Sequence, residues 1–215
     1  MEEKRFLYVL FLVTPFGTGK LIRTVTGYHY NHTGLSFSPE LKYFYSFARH
    51  YKKTPFYGGF TRESVLRYNN NGKIAKIKIC AVPVSEENYR NAKKEIREIE
   101  SRREEYLYNF VSAVAFPFGK SVKVKKSYTC VEFVLSMVRK YANVPELGKE
   151  GFLTIKDFCE ILDPYTVYEG SIEKFFAGAN WEGDIFPEEK SVFCYCKKTF
   201  LNNLELFRRF VKNEK

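Results

Sequence analysis

The sequence lacks the cysteine patterns that build small secreted domains and zinc modules. Its five cysteines, Cys80, Cys130, Cys159, Cys194 and Cys196, are odd in number, irregularly spaced and form no pair of Cys-x-x-Cys motifs. That argues against a disulfide framework and a structural zinc site alike. Long apolar runs are also missing. Residues 6–13 are apolar but short, follow Glu2 and Glu3, and run into Thr14-Pro15-Phe16-Gly17 without a small-residue cleavage site. A buried strand is expected there, not a signal peptide or transmembrane segment, and with no export signal the expected compartment is the cytoplasm. Nor does Gly17-Thr18-Gly19-Lys20-Leu21 make a phosphate-binding loop: Thr14 stands where such a loop opens with glycine, and Leu21 replaces the hydroxyl residue that would hold magnesium. A glycine turn is the better reading. Histidine is scarce, with three in 215 residues, so few side chains could act as a base near neutral pH.

What is present describes a globular chain. A length of 215 residues, 45% hydrophobic and 18% aromatic, can bury a large aromatic core without staples. One domain over residues 1–215 is expected, with 171–215 as a C-terminal extension: a loop-rich insertion around Trp181, then a terminal helix. The net charge of +10 would attract nucleic acid, anionic lipid or an acidic partner. The cations are interspersed with 25 acidic residues, and no RNA-binding aromatic signature, zinc-finger spacing or recognition helix accompanies them. A basic solvated surface is the plainer reading, and nucleic acid is not an expected partner.

The patterning predicts an α+β fold. Residues 28–38 and 41–48, joined by Ser38-Pro39-Glu40, predict a hairpin. Pro55 and Gly58-Gly59 mark residues 53–62 as loop. Residues 64–68, the run Asn69-Asn70-Asn71-Gly72 and the mostly alternating residues 73–83 predict a second hairpin on a tight Asn-Gly turn. Ser85 opens a charged surface helix to about residue 105, with Tyr89, Ala92, Ile96 and Ile99 as its apolar stripe. Thr154 caps a short helix, residues 165–168 read as a strand, and residues 200–211 as an amphipathic helix. Cys194-Tyr195-Cys196 reads as a redox or metal pair, or as packing on a terminal strand.

The stretch with the most chemical content is Ser127-Tyr128-Thr129-Cys130-Val131-Glu132-Phe133-Val134. Thr129 and Glu132 have the spacing of a capping box, which places Cys130 at the first helical position. There the positive end of the helix and the upstream Lys120, Lys123, Lys125 and Lys126 form a setting that favours a thiolate. Taken by itself, the same cysteine also reads as a small buried hydrophobe. A nucleophilic cysteine needs a base. His50 lies among Arg49, Lys52 and Lys53, and His29 and His32 flank the start of one strand. By spacing, His32 is equally a strand histidine satisfied by backbone or a base.

The order of Asn31-His32-Thr33-Gly34-Leu35-Ser36, a next strand with Tyr45-Ser46-Phe47-Ala48-Arg49, the loop Pro55-Phe56-Tyr57-Gly58-Gly59-Phe60, a charged helix and finally Tyr128-Thr129-Cys130-Val131-Glu132 resembles the circularly permuted papain-like amidases. These are the permuted branch of the NlpC-type peptidases, related to lecithin retinol acyltransferase, in which the histidine strand precedes the cysteine helix. The resemblance covers residues 5–170 and rests on two short motifs in the right order. It implies a permuted papain-like fold, an antiparallel sheet or partial barrel packed against the helix bearing the nucleophilic cysteine. It also implies Cys130 as nucleophile, His32 as general base and Ser46 as the third, histidine-orienting residue, where relatives often carry a carboxylate. A serine can hold an imidazole tautomer but cannot stabilise an imidazolium as a carboxylate does, so a weaker or specialised site is expected. Gly58-Gly59 either border the cleft or are simple turn glycines. The implied activity is that of a cysteine hydrolase of amidase or peptidase type, acting on a peptide, a cell-wall-like fragment or a lipid-linked amide, with no metal or organic cofactor. Two alternatives stay open: a non-catalytic binding module whose basic surface takes an acidic partner, and a lipid acyltransferase or thioesterase, which the apolar residues 106–118 suit.

Overall fold

The apolar run near the N-terminus becomes the strand around which the sheet is laid. The computed structural model describes residues 4–14, 27–51, 54, 56–68, 76–148, 150–175 and 192–213. In it β1 (Arg5–Leu12) lies between β2 (His32–Ser36) and β5 (Lys76–Val84), antiparallel to both. This strand is apolar on both faces because both are covered. Leu7, Val9 and Phe11 join the larger core under the helices, while Leu10 and Leu12 join a smaller cluster with Phe44, Val65 and Tyr68. The Ser38-Pro39-Glu40 turn returns β2 to β3 (Phe44–Arg49) as predicted, and β4 (Gly58–Glu63) pairs antiparallel with β3. Two short strands, β6 (Leu107–Tyr108) and β7 (Ser127–Tyr128), extend that edge, and β8 (Thr166–Ser171) closes the other. The order is β7-β6-β4-β3-β2-β1-β5-β8, antiparallel except for the parallel β6–β7 pair. The fold is therefore α+β, on a mixed sheet.

Three sequence expectations are corrected. Residues 65–68 are a 3-10 turn instead of a hairpin arm, and β5 pairs with β1 and β8; the Asn-Gly run itself lies outside the described residues, as do the glycine turn at 17–20 and the insertion around Trp181. The presumed loop at 58–62 is strand β4. Its glycines reflect close backbone approach: a Cβ on Gly58 would lie 2.6 Å from the Ala48 carbonyl oxygen, and one on Gly59 2.3 Å from that of Tyr106. Neither is a turn glycine. Finally, Cys194 and Cys196 sit in a helix, not a strand.

The helices follow their caps. Ser85 accepts from the Asn88 N–H to start α1 (Glu86–Ser101), which buries Ala92, Ile96 and Ile99. Next are α2 (Phe110–Ala115) and α3 (Cys130–Tyr141), then α4 (Ile155–Ile161), capped by Thr154 and Asp157, and α5 (Ile172–Phe175). Along α3 the residues Cys130, Val134, Met137, Val138 and Tyr141 are buried on one face, as the 3.6-residue period requires. The last helix, α6 (Val192–Asn213), packs Leu206 against Leu107 and Val124 at the β6–β7 edge.

Candidate active site

Strand β7 leads directly into α3, so the sheet edge fixes where the cysteine helix begins. Thr129 Oγ1 accepts from the Glu132 N–H at 3.2 Å, and the Glu132 carboxylate accepts from the Thr129 N–H at 2.7 Å, completing the capping box. The other Glu132 oxygen accepts from the hydroxyls of Ser112 and Ser121, tying the first turn of α3 to α2 and the loop beyond it. Thr129→Ala removes one half of the cap and is expected to cost about 1 kcal/mol of stability, read from urea denaturation.

His32 is the first residue of β2. Strand alternation sends Thr33 and Leu35 to the helix side and the His32 ring toward Phe44 and Tyr68, with ring centroids 6.2 and 5.4 Å away. His32 is also close enough to Cys130 for the thiol to be one of the groups that raise its imidazole. Both residues are 7% exposed. The sequence-derived pair is thus brought together from opposite ends of the chain's first two-thirds.

The third group differs from expectation. Ser46 Oγ lies 3.4 Å from His32 Nε2, but its proton goes to the Thr33 carbonyl at 2.9 Å. The nearer partner of Nε2 is a carboxylate that the sequence reading overlooked, Glu63 Oε1 at 3.1 Å. The site therefore does not lack a carboxylate; it is supplied one strand further on, by the last residue of β4. Glu63 is fully buried, accepts from the Tyr68 hydroxyl and lies 3.7 Å from the Arg67 guanidinium.

The electrostatics follow from that arrangement. Burial alone would push the His32 imidazole down, but the Glu63 carboxylate, which accepts from Nε2, raises it to about 10, with Cys130 contributing in the same direction. Burial would push the Glu63 carboxyl up, yet His32, Arg67 and Tyr68 hold it below the usual carboxylate range. His50, by contrast, is pushed down to about 4, chiefly by burial, and rests against Tyr57 at the far end of β3. His29 packs between the tilted rings of Tyr28 and Tyr30. Among the described residues neither has a carboxylate within hydrogen-bond distance, as His32 has.

A cavity of about 1110 Å³ runs along the face of α3 that carries Val131, Glu132, Leu135 and Arg139, with Tyr106, Asn109 and Tyr128 opposite; neither Cys130 nor His32 is among its lining residues. Lys123, Lys126, Arg139 and Lys140 give it a cationic rim. A second cavity, about 580 Å³, lies around His50, Tyr57 and Arg103 and touches the site only through Arg67. Among the described residues no cluster of His, Cys, Asp and Glu could hold a metal ion. No protein-family model matches the chain, and neither a curated protein nor a solved structure is significantly similar to it.

Proposed function

We propose that the protein is a cysteine hydrolase of the amidase or peptidase type on a permuted papain-like scaffold. The observation that carries this reading is the buried His32 imidazole with the Glu63 carboxylate 3.1 Å from its Nε2, close enough to Cys130, a thiol at a helix N-terminus, to be influenced by it. Each part has a role in acyl transfer. Cys130 sulfur attacks the carbonyl carbon, and its proton resides on His32, held there by Glu63 and Ser46 as positioning residues. The capping box uses the N–H groups of Thr129 and Glu132, leaving those of Cys130 and Val131 at the helix start for the oxyanion. His32 then gives its proton to the leaving nitrogen, the thioester forms, and water returns the acid and the free thiol. Five free cysteines fit the reducing cytoplasm. No helix among the described residues is long and apolar enough to cross a membrane.

Iodoacetamide competition tests the site directly. At neutral pH Cys130 is expected to label at least about tenfold faster than Cys80 or Cys159, whose thiols burial pushes up, and faster than Cys194 and Cys196. His32→Ala is expected to abolish the advantage, and a screen of amide, ester and peptide substrates with Cys130→Ala as blank then identifies the chemistry. Equal, slow labelling of all five, with no turnover, assigns the fold to a binding module.

A further inference from the structure

Helix α6 is apolar on two sides, and among the described residues only one is covered. Tyr195 and Leu206 are buried, the first against Tyr51 and the second against Leu107 and Val124. On the opposite side Phe193, Phe200, Phe207 and Val211 recur at helical spacing and are open to solvent, Phe200 at 66% and Phe207 at 60% exposure. Along one edge of this stripe run Lys197, Arg208 and Lys212, all exposed. Glu205, the one acidic residue of α6, lies two turns before Lys212 beside this edge and is bound to Arg209 at 2.9 Å.

We propose that this outer face of α6 is a docking surface for an anionic lipid bilayer, with the helix lying in the interface plane and its phenylalanines entering the acyl boundary. An apolar stripe edged by a row of cations is the pattern that lets a helix lie on a membrane: the rings gain from leaving water while the lysines and arginines meet the headgroups. The helix is anchored for this role, since Asn203 donates to the Phe56 carbonyl at 3.0 Å and Arg209 to that of Glu105 at 2.8 Å, so the stripe is presented by a fixed element. Phe56 is itself exposed beside that anchor. A second copy of the chain fits the face less well, because each copy carries a net charge of +10. Nothing here depends on Cys130.

The test is cosedimentation of the full chain with vesicles of phosphatidylcholine alone and of phosphatidylcholine mixed with phosphatidylserine. Binding is expected only to the mixed vesicles, weakening as salt rises. Phe200→Glu with Phe207→Glu should weaken it about tenfold or more, and Lys197→Glu, Arg208→Glu and Lys212→Glu together on the order of a hundredfold. Because all five positions are exposed, thermal midpoints and Cys130 alkylation rates should match the wild type, which shows that the fold is intact. Failure to bind either vesicle, or binding that survives both sets of substitutions, overturns the proposal. So does sedimentation velocity showing a dimer that Phe207→Glu dissociates, since that assigns the face to a second copy.

Discussion

Replacing Glu63 with glutamine should bring the pH at which His32 gives up its proton down from about 10 toward the ordinary histidine value of about 6.5. It should also slow acylation of Cys130 by an active ester about 10²- to 10⁴-fold at neutral pH. The sign follows from the site. His32 is raised in the folded protein, so its charged form persists through neutrality and is lost only as pH rises through about 10. The stability it contributes is complete below the unfolded histidine pKa and disappears over that same high range. Glu63 is depressed, so its contribution is present above the unfolded carboxylate pKa and is lost as pH falls. The pair is therefore most stabilising between the two limits. Glutamine keeps an oxygen for Tyr68 but removes the charge facing His32 and Arg67, and breaking a buried pair in this way costs about 3–5 kcal/mol. NMR titration of the His32 ring and the pH profile of acylation, both on folded protein, check the expectation. Ser46→Ala should shift neither by as much, because the Ser46 proton already belongs to the Thr33 carbonyl. An unchanged profile in Glu63→Gln would remove Glu63 from the site.

Gly59→Ala is expected to destabilise the protein by about 3 kcal/mol, measured by urea denaturation. The new methyl would meet the Tyr106 carbonyl oxygen at 2.3 Å, and that oxygen accepts the Phe60 N–H at 3.3 Å. Both sides of the clash are backbone, so no rotamer relieves it. Yielding means moving β6, and β7 with it, which shifts the start of α3; alkylation of Cys130 should slow in step with the lost stability. Gly119→Ala is the contrast: nothing lies within 4 Å of the added carbon there, and only the positive φ of 68° opposes it. Equal stability of the Gly59→Ala protein would contradict the close approach of β4 to β6.

What could be read from sequence divides along physical lines. Local signals were legible. The Thr129–Glu132 spacing located α3 and its first residue, Thr154 located α4, and the turn after Ser38 paired β2 with β3. Each depends on a handful of neighbouring residues and survives without knowledge of the rest. Strand β4 was hidden because two glycines and a proline imitate a loop, whereas the cause of those glycines is contact with Ala48 and Tyr106, far away in sequence. Losing the strand meant losing Glu63. A glutamate after Thr61-Arg62 looks like surface, and only the register that sets Phe44 opposite Glu63 turns it inward toward His32. The one available signal was Phe60-Thr61-Arg62, whose β-branched and aromatic residues suit a pleated strand better than a loop. The second hairpin failed for a related reason. Its strong Asn-Gly turn chemistry says nothing about which distant strand β5 will choose.

The parallel contact between β6 and β7 has a bearing on assembly. His32 arrives early in the chain and Cys130 late, and they meet only after the strands between them have paired and the β6–β7 edge has set the entry of α3. Such long-range closure is slow compared with forming a helix or a hairpin. On the proposed reading of the site, a partly folded chain holds the Cys130 thiol apart from His32, and fast alkylation of Cys130 is expected only once the sheet is complete.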